Sequence, residues 1–592
     1  NNISLSADVI CRDGSGGTVF ACLELLSAAP SVFTMYGNVL GSDLASNGRA
    51  IRNTASGTLT IFGNVSGGAA SGSTFGVDNQ STGTINVIGN VVANNLLNAG
   101  AINNNSTGTI NVTGNVFGSN RGANSRGITN AGAGTVNVIG NVAGGSGSGN
   151  FGIVSSVAQS RVTIVGNVSG FSVGGVSMGA GTYNQIGSVH SAGLGFTSTS
   201  ATIVGNVFAG AGAAIAVGGA NAVLNVTGIV RGGTASAAVG IGNTSSGTVT
   251  VVGSAIGGFT TNCHGIGSSS NTITNLIGVC IGGFGGDCGG VNHSSTSGTF
   301  NIIGDVYGGT GGAGAFNTGT GTLNVYGNVY STTIRGIQNG NAAASGPVNI
   351  FGSVFARDTQ GVFNQSTTGT ITITGDVFGG RATNAYGVHN AMGTGIVVVS
   401  GRAVGGTGSA AYGAYNASTG TLRVKRAVGN DWGLGYTTAL ASVPGVFSNA
   451  QGSQTFVEEL ECGPMGQWPT GGVIFFTPNP KATFQFKTDT FQNYSLIQSI
   501  SADNLLPPVS SVRQGTIYDL GMDTGTCIIP PASSVGFGVS VDNITGTATL
   551  VSTNVWNISS QEITDNQSIG GRLKNALTAN AAERLVNSFN LN

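Results

Sequence analysis

One phrase recurs sixteen times between Gly37 and Gly401: apolar, Thr or Asn, apolar, any residue, then Gly-Asn-Val. It reads TLTIFGNV at Thr58 to Val65, TINVIGNV at Thr84 to Val91, TVNVIGNV at Thr135 to Val142 and TLNVYGNV at Thr322 to Val329. The shared glycines are Gly37, Gly63, Gly89, Gly114, Gly140, Gly166, Gly187, Gly205, Gly228, Gly253, Gly278, Gly304, Gly327, Gly352, Gly375 and Gly401. Most steps are about 25 residues, with shorter ones near 187 and 205; a unit of that length cannot enclose a core alone and must stack on its neighbours. The expected fold is all-β, a parallel β-solenoid of about seventeen turns, on the order of 80 Å long at the ~4.8 Å spacing of paired strands.

The columns of the repeat assign each position a role. Two residues before the glycine stand Met35, Ile61, Val87, Val112, Val138 and Ile164, with Gln185 the one polar exception; two after it stand Val39, Val65, Val91, Val116, Val142 and Val168, with Ala255, Cys280 and Ala403 as small substitutes. Period-two alternation with β-branched residues places both columns inward. Three before the glycine comes Thr or Asn in every copy but the last, a column expected to line the outer face as a polar ladder. The glycine marks a corner. The asparagine after it (Asn64, Asn90, Asn115, Asn141, Asn167, Asn206 and Asn328) suits a tight bend through its tolerance of the left-handed conformation and its local hydrogen bonds. A second motif follows in each turn, as AIRN at Ala50, GVDN at Gly76, AINN at Ala101, GVFN at Gly361, GVHN at Gly387 and GAYN at Gly413, and reads as another short strand and corner.

With 105 glycines, 11 prolines and 7% charged residues in 592, the chain matches a corner-rich β-structure rather than a disordered one. A formal net charge of −1 offers no general attraction to nucleic acid, and no apolar run is long enough to span a bilayer. The first lysine is Lys425, and Glu24 is the one glutamate before Glu458. That shift sets the expected organisation: an N-terminal cap over 1–30, the solenoid shaft over 31–430, a C-terminal β-domain over 431–550 and a terminal segment over 551–592. Within the β-domain, QTFVEELEC at Gln454, GVIFFT at Gly472 and ATFQFK at Ala482 read as strands. Ser568 could cap a terminal helix whose apolar stripe includes Ile569, Leu573, Leu577, Leu585 and Phe589.

Candidate chemistry is sparse. Cys263 and Cys288 each lie ten residues after a repeat glycine, so they share a slot in consecutive turns, close enough for a disulfide; two reduced thiols are the alternative. Cys11 could pair with Cys22, and Cys462 with Cys527. A metal site from Cys263, His264, Cys288 and His293 matches no common zinc spacing, so no metal and no cofactor is expected. A glycosidase needs two carboxylates about 5 to 9.5 Å apart. Asp305 and Asp376 occupy the corner-asparagine slot three turns apart, Arg357–Asp358 reads as a surface ion pair, and Glu458, Glu459 and Glu461 as a solvated strand edge, so catalysis is not expected.

Between about 450 and 575 the ordered words NLLPPVSSVRQGTIYDLG, TGTCIIPPASSVGFGVSVDN and VWN resemble the fibre and tail proteins of tailed bacteriophages. The resemblance implies a structural virion protein that attaches the particle to a host surface, a homotrimer in contact with other virion proteins and with host-surface carbohydrate. A secreted or cell-surface bacterial adhesin or surface-layer protein would use the same shaft. A polysaccharide-degrading solenoid and an ice-binding solenoid are further readings, the last motivated by the outward pairs Thr58/Thr60, Thr84/Asn86, Thr109/Asn111 and Thr135/Asn137. Finally, Tyr36, Phe62, Ile88, Ile139, Val165, Val252, Ile303, Tyr326 and Phe351 immediately precede the glycine. They form an outward stripe suited to association, or are buried by a bend there.

Overall fold

The computed structural model describes residues 2–429 apart from breaks at 12–19, 27–31, 44–47, 70–73, 95–98, 121–123, 147–148, 171–173, 191–192, 271–272, 341–345 and 408–410. Beyond 429 it describes 446–448, 454–461, 473–476, 517–518, 523–524, 540–541 and 544–545.

Each regular coil carries three strands, as in Thr84–Ile88, Val91–Val92 and Gly100–Asn104. Each strand pairs in parallel with its counterpart one coil below and one coil above, so that Asn86 lies between Thr60 and Asn111, and Val91 between Val65 and Val116. Three parallel sheets result: a long face, a short face and a third face whose strands end in asparagine. Leu59, Ile61 and Val65 of one coil are fully buried, and the same positions in successive coils build one continuous core from Met35 to Ala427. Parallel pairing explains the run of Val and Ile, because every coil needs an apolar side chain at the same depth.

Glycine at the corner is required by the stacking itself. Gly114 has φ +151°, and a Cβ there would sit 2.2 Å from the carbonyl oxygen of Gly89 one coil below; Gly140 meets the Gly114 carbonyl in the same way. The asparagine that follows has a different task from the one expected. None of the corner asparagines is left-handed; among the described residues that conformation falls on loop positions such as Asn262, Asp287 and Asn384. Instead each corner side chain accepts the backbone N–H of the next coil: Asn64 from Asn90 at 2.9 Å, Asn90 from Asn115 at 2.8 Å, Asn115 from Asn141 at 2.9 Å and Asn141 from Asn167 at 3.0 Å. Asn167 accepts from Ser188, Asn206 from Ile229 and Asn328 from Ser353. On the long face, Asn111 donates to Asn86 and Asn137 to Asn111 at 2.8 and 2.9 Å, the outer polar ladder that alternation implied.

A third ladder lies inside. The last residue of the third strand, Asn53, donates to Asn79, Asn79 to Asn104 and Asn104 to Asn130 at 2.9–3.1 Å; a second run links Asn317, Asn339, Asn364, Asn390 and Asn416. All are fully buried. Their second amide hydrogen is also used, Asn104 donating to Gly108 and Asn416 to Gly420, so the polar column costs no unpaired group. Between the two runs the column holds Ser155, then Asn243, Ser268 and His293 on the far side of an apolar stretch formed by Met178, Phe196 and Val217. Here the short steps at 187 and 205 delete the loop after the third strand, and single strands, Gly174–Ile186 and Leu194–Val204, run through the corner. Buried Gln185 is satisfied by the Tyr183 hydroxyl at 2.5 Å and by the carbonyls of Gly166 and Ser188.

The stack is longer than the shaft drawn from composition. Asn2–Ser6 pairs with Val32–Tyr36, Val9–Ile10 with Val39–Leu40 and Phe20–Leu25 with Gly48–Asn53, so the expected cap over 1–30 is itself a coil. Ala7 and Asp8 replace its Gly-Asn, and Asp8 accepts the Asn38 N–H at 2.6 Å. At the far end Gln454–Glu461 pairs in parallel with Thr421–Val428, and Val473–Phe476 with Gln454–Glu461. The boundary expected at 430 is therefore corrected: charge changes there, while the alternation that decides pairing continues. The chain divides instead into Asn1–Asn479 and Pro480–Asn592. Among the described residues of the second unit, Ile517–Tyr518 pairs antiparallel with Asp523–Thr524 and Ser540–Val541 with Ile544–Thr545. The ATFQFK strand, the Cys462–Cys527 pairing and the terminal helix lie outside the described residues.

Candidate functional site

The charged residues read from the sequence are absorbed by the scaffold. Asp305 accepts the Asn328 N–H at 2.7 Å, and Asp376 accepts the Arg402 N–H and binds its guanidinium at 2.7 Å, so both act as corner residues. Arg357 donates to the Thr332 carbonyl at 3.4 Å, and the ion pair expected with Asp358 is not formed. Asp78 is buried against Arg49 at 2.8 Å, and burial raises its pKa against the pull of that cation.

Cys263 and Cys288 share a slot one coil apart, as expected, but both are free and buried; the disulfide is not formed. Side chains stacked in parallel point the same way, whereas a disulfide needs them to converge. Each thiol donates to a carbonyl of the coil below, Cys263 Sγ to Ala235 at 3.6 Å and Cys288 Sγ to Thr260 at 3.0 Å, and Cys288 Sγ also accepts the Cys263 N–H at 3.2 Å. His264 Nδ1 accepts the Gly289 N–H at 3.0 Å, while His293 Nδ1 lies 2.7 Å from Asn317 in the buried ladder. Among the described residues no group of three or more His, Cys, Asp or Glu is placed to hold a metal. Cys280 fills the inward valine column, fully buried, and Cys11 is bonded to Cys22.

The stripe before the glycine faces outward. Its nine residues from Tyr36 to Phe351 are 41–52% exposed, and Ile186, Val204 and Ile277 continue it. Tyr36 stacks on Phe62 and Tyr326 on Phe351, with ring centroids 4.9 and 4.5 Å apart.

A second surface feature went unread in the sequence. On the third face, two neighbouring columns run through four consecutive coils: Arg335, Gln360, Tyr386 and Tyr412 in one, Gln338, Phe363, His389 and Tyr415 in the other. The Arg335 guanidinium lies 3.9 Å over the Phe363 ring, donating to Gln338 at 2.6 Å and to Gln360 at 3.3 Å. His389 stacks on Tyr415 at 4.6 Å, and Tyr386 stacks on Tyr412 at 5.5 Å. Burial, then the Arg335 charge, lowers the His389 pKa to about 4, so the ring is neutral at pH 7; burial, then Tyr415 and Tyr412, pushes Tyr386 up to about 12. His389 Nδ1 is buried without a hydrogen-bond partner. The result is a stacked aromatic cluster with one cation and two glutamine amides, in which Phe363 and Tyr386 are buried while His389, Tyr412 and Tyr415 are partly exposed. The motifs GVFN, GVHN and GAYN contained the signal, since their third letter lies on the side of the strand away from the core column and becomes aromatic or imidazole in successive coils.

Comparison with protein families, with curated proteins and with solved structures finds no match. No described helix is long and apolar enough to cross a membrane, which leaves β-barrel spans unaddressed.

Proposed function

We propose that the chain is a structural fibre or spike protein of a virus particle, extending from the virion and attaching it to carbohydrate on a host surface. The observation that carries this reading is the use of the shaft's polar groups: three ladders of amides and hydroxyls hold coil to coil, and Asp305 and Asp376 are spent on the same task. The sequence words between about 450 and 575 support the virion assignment. The partly exposed Tyr412 and Tyr415, which end the aromatic columns, support the carbohydrate contact, because an aromatic face takes the apolar side of a sugar ring while Arg335, Gln338 and Gln360 offer hydrogen bonds to hydroxyls along the same face.

An adhesin or surface-layer protein on a bacterial envelope is the second reading, favoured by the same rod-like stacking. An ice-binding role has less support, since Asn86, Asn111 and Asn137 spend amide groups on one another. The test is mass spectrometry of purified virions beside envelope fractions. Fixed stoichiometry in the particle is the expected result; recovery from envelopes alone overturns the virion reading. Glycan-array binding by the full chain should fall at least tenfold in the double variant Y412A/Y415A, and unchanged binding removes the carbohydrate contact from this face.

A further inference from the structure

Among the described residues nothing covers the outward stripe, and its period restricts what can cover it. Successive side chains are one strand spacing apart, about 4.8 Å, over fourteen coils from Tyr36 to Phe351; a helix packed along it, with a 5.4 Å pitch, falls half a step out of phase within about four coils. A surface with the same period stays in phase throughout, and this chain presents one. The stripe's twelve apolar side chains expose on the order of 1,000 Å² per chain, against the ~800 Å² per partner of a stable interface.

Its two polar positions set the direction. Thr113 lies between Ile88 and Ile139, and Thr227 between Val204 and Val252. Parallel, in-register packing puts each threonine beside its own copy, where hydroxyls can pair, and leaves every other contact apolar. The antiparallel arrangement that matches the aromatic ends puts Thr113 against Ile277 and Thr227 against Val165, burying two hydroxyls without partners. Sliding it by two coils pairs Thr113 with Thr227 but sets Tyr326 against Ser6 and leaves Phe351 facing no described coil, so parallel packing alone satisfies both the hydroxyls and the aromatic ends. Beyond Phe351 the column turns polar at Thr374 and Ser400, so the interface stops there.

We infer that the long-face stripe from Tyr36 to Phe351 is a self-association surface on which copies of this chain pack in parallel and in register. The inference rests on the stripe alone and holds whether a virion or a cell envelope carries the chain.

The experiment measures the mass of the full chain by sedimentation across nanomolar to tens of micromolar concentration. The expected result is an integral multiple of the 58.3 kDa chain mass. The variant I139K/I186K/I303K alters exposed positions only, so its circular dichroism should be unchanged while its association weakens at least 100-fold. Register is read from T113C treated with a short bismaleimide, each thiol adding across one maleimide double bond: parallel, in-register copies join to one another through position 113. A wild-type chain that stays monomeric, or a lysine variant that assembles like wild type, overturns the interface. Assembly without joining at position 113 overturns the register.

Discussion

Asn104 shows how a buried polar side chain can stabilise a solenoid. It links Asn79 below to Asn130 above and donates to Gly108, with no exposed surface. Asn104→Ala strands these three partners and should cost ~2–4 kcal/mol in urea unfolding. Asn104→Asp should cost more at pH 7 than at pH 4, where the carboxyl is neutral; equal losses at both pH values would contradict a buried, fully bonded column. Gly114 is constrained by space instead, and Gly114→Ala, pressed against the Gly89 carbonyl, should lower stability by at least ~3 kcal/mol in the same measurement. His264 supplies a pH dependence. Burial lowers its pKa to about 4, below the ordinary value of 6.5. Between those values the unfolded chain binds the proton and the folded one does not, so stability is full above pH 6.5 and falls as pH drops toward 4. The loss approaches ~3 kcal/mol for this one residue. Denaturation at pH 7, 5.5 and 4.5 should show the decline, and His264→Asn should reduce it.

At the scale of the coil, the repeat made much of the structure legible. The inward columns, the outer Thr/Asn ladder and the glycine corner follow from alternation and spacing. The buried asparagine column did not, because AIRN and GVDN show where a strand ends without showing which way its last amide points. The aromatic columns escaped for a related reason: their members are spread over coils and align only once the register is known. Composition misled at both ends, since Ala7-Asp8 hides a degenerate Gly-Asn and the glutamates after Glu458 hide an unbroken alternation. Equivalent registers also predict tolerance to whole-coil deletion. Removing residues 109–134 brings Thr135 to the position of Thr109, its partner in the ladder, and should keep the β-sheet circular dichroism, with the unfolding midpoint shifted by only a few degrees. Removing 109–120 breaks the register and should abolish cooperative unfolding.

Taken as a whole molecule, Asn1–Asn479 is a linear array in which each coil is stabilised by the two beside it. Such an array can be long, carry little charge and still present a distinct surface, here the Arg335–Tyr415 columns. The central structural claim is that one parallel stack runs from Asn2 to Phe476, through the change in composition at 430. Hydrogen exchange on the full chain, resolved to individual segments, tests it most directly. Amides in Gln454–Glu461 should be as protected as those in Thr421–Val428, with protection beginning at Asn2–Ser6. Rapid exchange throughout 454–461 beside a protected 421–428 would contradict it and return the end of the stack to 430.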